Sequence, residues 1–157
     1  MFSFLQKDSL DLLSSQLYNE QSFFPAFVAD ARRATETIIV ESPFITYRRL
    51  KLLYPTLERA VMGGVRIVVN TRDPQFQDGS MRQQATAGIA ALQDIGIEVL
   101  FTSNLHRKLA IIDHHILWEG SLNILSQIDS CEVMRRTESA ILAEKMIQFL
   151  HIKQYHI

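Results

Sequence analysis

The sequence predicts an α/β fold in which a mixed β-sheet is flanked by helices. Three observations carry this. The short runs TIIVES (37–42), VRIVVN (65–70) and IEVLFT (97–102) have the unbroken apolar, β-branched character of buried strands. Helical stripes separate them, so strand and helix alternate. The later runs KLAIID (108–113) and ILWEG (116–120) lie too close together for a crossover helix, so they form a hairpin and make the sheet mixed.

Taken in order, Leu10, Leu13 and Leu17 recur at helical spacing over 9–19, with Asp8 or Ser9 as N-cap. Phe24, Phe27, Val28 and Ala31 mark a second helix whose first turn accommodates Pro25. TIIVES follows and Pro43 ends it. Leu50, Leu53, Leu57 and Val61 make the stripe of a third helix, closed by Gly63-Gly64. After VRIVVN, the stretch TRDPQFQDGS carries Asp-Pro and Asp-Gly turn signals and reads as a loop. Ala85, Ile89, Leu92 and Ile95 mark a fourth helix ended by Gly96, and IEVLFT follows. The hairpin turns at His114-His115; ESAIL (138–142) reads as a strand and 143–151 as a closing helix.

The chain has 157 residues, 47% hydrophobic and 21% charged, which excludes a disordered tail or polar linker. It is expected to form one domain over 1–157, with a helical segment (1–35) packed on the rest. The lone Cys131 cannot form an internal disulfide. No apolar run approaches the ~20 residues of a membrane helix, and MFSFLQKDSLDLL lacks the form of a signal peptide. A cytoplasmic address without stable membrane association is therefore expected. Net charge is −1, so any nucleic-acid contact must come from a local patch.

The chemistry concentrates in His106-Arg107-Lys108 and Gly120-Ser121-Leu122-Asn123. In a strand starting near His106, alternation puts His106 and Lys108 on one side, where imidazole and ammonium can address one anionic group. Ser121 and Asn123 repeat that spacing just past Gly120, where backbone can approach a ligand closely. A histidine-x-lysine alone reads as a solvated strand edge. The full string adds Asp113 and Gly-Ser-x-Asn at fixed distances.

That string resembles the signature of the phospholipase D superfamily, with His106, Lys108, Asp113, Gly120, Ser121 and Asn123 all in place. The resemblance implies an α-β-α sandwich on a mixed sheet. It also implies a site built from two motifs; small members, of the bacterial Nuc endonuclease type, carry one motif per chain and so act as homodimers. By resemblance, one His106 is the nucleophile that forms a phosphohistidine and the second is the general acid. Lys108 and Asn123 hold phosphate oxygens, and Ser121 adds a hydrogen bond. The family also places an acidic residue after the second segment to orient the histidine; Glu138 is the first candidate and Glu132 the alternative.

Asp113 stands at the far end of the strand from His106, so it is expected to be structural, like Gly120. His114 and His115 read as turn residues, Trp118 as core, and Cys131 has no histidine neighbour in sequence for a thiol mechanism. Arg48, Arg49, Arg135 and Arg136 are candidates for substrate phosphate, a role that suits the guanidinium group. No carboxylate cluster suggests a two-metal site, so neither metal nor other cofactor is expected. The reading is a metal-independent phosphodiesterase acting on nucleic acid, DNA first. The alternatives are a phospholipid or headgroup phosphodiesterase, and a non-catalytic nucleic-acid-binding or dimerisation module. The run LWEGSLNILSQIDSCEVMRRTES is similar to the C-terminal domain of some bacterial helicase-like proteins, which implies fusion to, or partnership with, such a protein.

Overall fold

The computed structural model describes residues 10–126 and 129–152. The segment MFSFLQ and the cap candidates Asp8 and Ser9 lie outside them. Seven strands form one mixed sheet: β1 (Gln16–Asn19), β2 (Thr37–Glu41), β3 (Arg66–Thr71), β4 (Glu98–Phe101), β5 (Leu109–Ile112), β6 (Ile116–Gly120) and β7 (Val133–Glu138). The helices are α1 (Phe23–Arg33), α2 (Tyr47–Met62), α3 (Gly79–Asp94) and α4 (Ala140–Phe149). The strand order is β1-β7-β6-β5-β2-β3-β4. β2, β3 and β4 are parallel, and every other neighbouring pair is antiparallel. The expected mixed sheet between helical layers is present.

Strand alternation sorts the core into two layers. Ile38, Val40, Ala110, Ile112 and Trp118 face α1, α2 and α3, which supply Phe27, Leu53 and Leu92 among others. Ile39, Leu109, Ile111 and Leu117 face α4 through Ala143 and Ile147. Trp118 is fully buried, as expected, and edges onto Phe23 at 5.2 Å. Its indole donates to Asp30, which also takes two bonds from Arg136 at 2.7 and 3.0 Å. This buried pair anchors α1 to the antiparallel half of the sheet.

Four elements differ from expectation. Among the described residues of the predicted helix over 9–19, only 10–13 are helical, and Gln16–Asn19 pairs with β7 as an edge strand. Leu10, Leu13 and Leu17 are exposed, so their helical spacing marks no buried stripe. ESAIL is not a strand: β7 ends at Glu138, and Ser139 caps α4 by accepting from Leu142 N at 3.3 Å. The loop 71–80 contains a short 3-10 turn at Pro74–Phe76, and α3 already begins at Gly79. The hairpin turn sits one residue earlier than expected: Asp113 and His114, at φ 52° and 51°, are its central pair, closed by His115 N on Ile112 O. No helix among the described residues is long and apolar enough to cross a membrane.

Candidate active site

One end of the sheet gathers the carboxyl ends of β1, β2, β3, β4 and β6 and the amino ends of β5 and β7. In open α/β sheets ligands bind outside the carboxyl ends of the strands. Here β2 is the boundary, with parallel β3 on one side and antiparallel β5 on the other.

His106 and Lys108 lie just before β5 at that end. Lys108 Nζ stands 3.1 Å from His106 Nδ1 and donates to His106 O at 2.6 Å. An ammonium has no lone pair, so Nδ1 is the acceptor and a neutral ring carries its proton on Nε2. Burial lowers the Lys108 pKa below the ordinary lysine value, the nearby Arg72 cation lowers it further, and Glu132 opposes both.

The histidine loop is held from beneath by a polar chain anchored on the buried Glu41 and Asn70. Arg107 forks onto Glu41 at 2.6 and 2.8 Å, and Glu41 has no exposed surface. Asn70 donates to Glu41 at 3.0 Å, and Thr102 donates to Asn70 at 3.0 Å. On the other side Arg72 Nε donates to Leu105 O at 2.6 Å, and its guanidinium lies 5.1 Å from the centre of the Phe44 ring. Sequence reading missed Glu41, Asn70, Arg72, Thr102 and Arg107. The available signal was polar residues closing apolar strands, in TIIVE and RIVVNT.

Gly120 closes β6 opposite Met134. A Cβ there would overlap Val133 O and stand 2.8 Å from Met134 Sδ, so close approach of β7, not of a ligand, requires the glycine. Ser121 Oγ donates to Glu132 and accepts from Val133 N at 3.1 Å. The second Glu132 oxygen accepts from Ser130 at 2.6 Å. Glu132, the alternative acid, therefore stands at this end of the sheet. Glu138 does not: it is opposite Ile116 at the far end and faces His115 and Arg136. Four residues of β7 separate it from Met134, the residue opposite Gly120, so the sheet register removes it from the site. Among the described residues neither acid is hydrogen-bonded to His106.

Asp113 is also at the far end. It accepts from Glu36 N at 2.8 Å, Thr35 N at 2.9 Å, Thr37 N at 3.0 Å and Thr35 Oγ1 at 3.3 Å. Burial pushes this carboxyl up, but those donors outweigh it and leave the pKa below the ordinary aspartate value.

The four arginines separate. Arg136 is occupied within the fold by Asp30 and Glu138, which raises its pKa and removes it as a substrate ligand. Arg135 bonds Ser15 and lines a hollow of about 460 Å³ with Arg107, Lys108 and Phe149. Arg48 is exposed. Arg49 is buried in a cleft of about 520 Å³ that Asn123 and Glu132 also line. Cys131 is exposed at the rim of that cleft. No group of three or more histidine, cysteine, aspartate or glutamate side chains that could hold a metal occurs among the described residues.

A mixed sheet of this order, with a His-x-Lys corner beside Gly-Ser-x-Asn at one end, defines a phospholipase D-like domain. The chain belongs to that family: the family model described as "Cardiolipin synthase, PLD-like domain" matches residues 27–155. The fold is similar to that of Nuc from Salmonella typhimurium, described as a phospholipase D family member, with TM-score 0.74 and 18% identity over 90% of this chain and 94% of that one. NucT from Helicobacter pylori is similar at TM-score 0.69 and 17% identity, over 87% and 92% of the two chains. TrmBL2, described as an archaeal chromatin protein with a novel mode of DNA binding, matches at TM-score 0.64 and 10% identity, over 98% of this chain and 60% of that one. A search of curated proteins gives no match.

Proposed function

We propose that the chain is a metal-independent phosphodiesterase, a nuclease first, working through a phosphohistidine at a site completed by a second copy of itself. The observation that carries this is the contact of His106 with Lys108 at the sheet end that also holds Ser121, Asn123 and Glu132. Nε2 of one His106 attacks phosphorus while the bond from phosphorus to the leaving oxygen breaks. His106 of the partner subunit gives its Nε2 proton to that oxygen. Water then attacks the phosphohistidine, passes a proton to His106 of the partner subunit, and releases the first imidazole. Lys108 and Asn123 stabilise the growing charge on the non-bridging oxygens.

The 3.1 Å contact to Lys108 occupies Nδ1 as an acceptor, which neither role keeps. The proton donor is an imidazolium with hydrogens on both ring nitrogens, and the nucleophile carries its one ring proton on Nδ1. A bound phosphate permits both by drawing Lys108 onto an oxygen, which frees Nδ1 to take a proton. Imidazole, ammonium and amide suffice for this sequence without a metal-activated water. Incubation with single-stranded DNA, duplex DNA and a phosphatidylcholine analogue, each with and without EDTA, tests the reading. Cleavage of DNA that persists in EDTA is expected; activity lost in EDTA and restored by magnesium or zinc rejects the mechanism.

A lipid phosphodiesterase is the second reading. The hollow beside Lys108 favours it, because Leu17, Val133, Met146 and Phe149 give it apolar walls next to two arginines. Turnover of the phosphatidylcholine analogue but not of DNA would select it. A non-catalytic module is the third reading, and the complete histidine, lysine, serine and asparagine set argues against it. Targeting falls to a partner or fused domain of helicase-like kind, since a net charge of −1 gives the chain little general attraction for nucleic acid.

A further inference from the structure

We propose that the Arg49 cleft is a subsite for an unstacked nucleobase next to the scissile phosphate. This rests on the nuclease reading for its place beside the reacting bond.

Three residues that line the cleft each carry a buried side-chain atom with no hydrogen-bond partner among the described residues: Arg49 Nε, Asn123 Oδ1 and Ser126 Oγ. Buried polar groups are nearly always paired, because an unmade bond costs about 1–3 kcal/mol. Three in the lining of one cleft leave a donor, an acceptor and a hydroxyl unmet. Arg49 is 5% exposed and Ser126 3%, so neither is satisfied by bulk solvent in the ordinary way.

The rest of the lining says what kind of group fits. Glu20, Asp129 and Glu132 also line the cleft, so an anion entering it meets three carboxylates against one guanidinium. A second phosphate is disfavoured there. A neutral planar group with donors and acceptors on its edge is favoured, and that is a nucleobase. The volume of about 520 Å³ lies within the roughly 300–1,000 Å³ of ligand pockets. The Arg49 guanidinium is held 4.6 Å from the centre of the Phe24 ring, which fixes its plane. Burial and the adjacent Arg48 lower its pKa.

The cleft adjoins the chemistry. Asn123 belongs to the proposed phosphate clamp, and Glu132 binds Ser121 while acting electrostatically on Lys108. A base in the cleft must leave its stack, so single strands are preferred over duplex, which pays the unstacking cost.

The test measures binding of a short single-stranded oligodeoxynucleotide to the His106→Ala chain by fluorescence anisotropy. Oligonucleotides of the same sequence with an abasic residue at successive positions are compared. One position is expected to weaken binding about tenfold when its base is removed. In Arg49→Gln, and independently in Ser126→Ala, that penalty shrinks to about twofold or less. A flat abasic series, or a penalty unchanged in both variants, overturns the proposal. So does a flat series together with binding of phosphatidylglycerol vesicles that Arg49→Gln abolishes, which assigns the cleft to a lipid headgroup. Cleavage by the unaltered chain is scored separately. Cleavage with a flat series removes the subsite and keeps the nuclease, whereas a position-specific penalty without cleavage removes the nuclease and keeps the subsite.

Discussion

His106 and Lys108 touch each other, yet they have separable work. A nucleophile contributes mainly to the chemical step, whereas a cation on phosphate helps both the bound state and the transition state. His106→Ala is therefore expected to abolish turnover and leave tungstate binding within about twofold, while Lys108→Ala loses both turnover and tungstate affinity. Single-turnover kinetics and tungstate titration on folded variants check this; equal tungstate loss in both refutes the division. Because burial lowers the Lys108 pKa, the required cation disappears as pH rises through a value below that of ordinary lysine. The alkaline limb of the rate profile should lie correspondingly low. Asp113 belongs to a different category, since its carboxylate closes a turn onto three backbone N–H groups. Its folded pKa is lowered, so its contribution to stability is full above the ordinary aspartate value and is lost as pH falls through the lowered one. Asp113→Asn should cost about 1–2 kcal/mol at neutral pH, allowing for solvent at the turn, with less effect on the rate of the folded fraction. Thermal melts at neutral and acid pH measure it. If the folded variant is as inactive as His106→Ala, Asp113 acts in the chemistry.

At the scale of elements, Gly120 shows how a motif letter can serve the sheet. Gly120→Ala puts a methyl group against Val133 and Met134, so β6 and β7 must separate. A loss of about 1–3 kcal/mol is expected, with activity falling because Ser121 and Glu132 hang on those two strands. Denaturant titration reads the first and kinetics the second; an unchanged midpoint would show that the strands yield freely. The same elements show what sequence could convey. The buried strands β2, β3 and β5 were legible because each is an apolar run, and His106, Lys108, Ser121 and Asn123 because their spacing is fixed. β1 was not, since an edge strand of four residues (QLYN) has no period, and leucines at helical spacing obscured it. In β7 the charges of VMRRTE hid a strand whose Arg136 is spent on Asp30, a partner 106 residues away. The Glu41–Arg107 pair, 66 residues apart, was invisible for the same reason. Glu138 was misplaced because sequence distance from Asn123 does not reveal how many residues the intervening loop consumes before β7 begins.

At the scale of the whole molecule, the proposed chemistry needs two imidazoles where each chain's site supplies one. His114 and His115 cannot provide the second, since they sit in and beside the turn at the other end of β5 from His106. A two-fold axis past the sheet end would supply it, because a C2 interface sets a residue near the axis against its own copy. The net charge of −1 per chain opposes such pairing only weakly. Sedimentation at micromolar concentration should therefore show a dimer. A stricter test uses subunit exchange between unaltered chains and His106→Ala chains. If both histidines act in one shared site, a mixed dimer has either no nucleophile or no acid, and only dimers of two unaltered chains turn over. Activity then falls as the square of the unaltered fraction after full exchange. A self-sufficient chain would instead lose activity in direct proportion to dilution, since each unaltered copy keeps working whatever its neighbour carries. A linear fall, together with a monomer in sedimentation, would defeat the shared site and require the acid to come from another residue of the same chain. Glu132, already bonded to Ser121 and next to the Lys108 charge, would then be the first to replace.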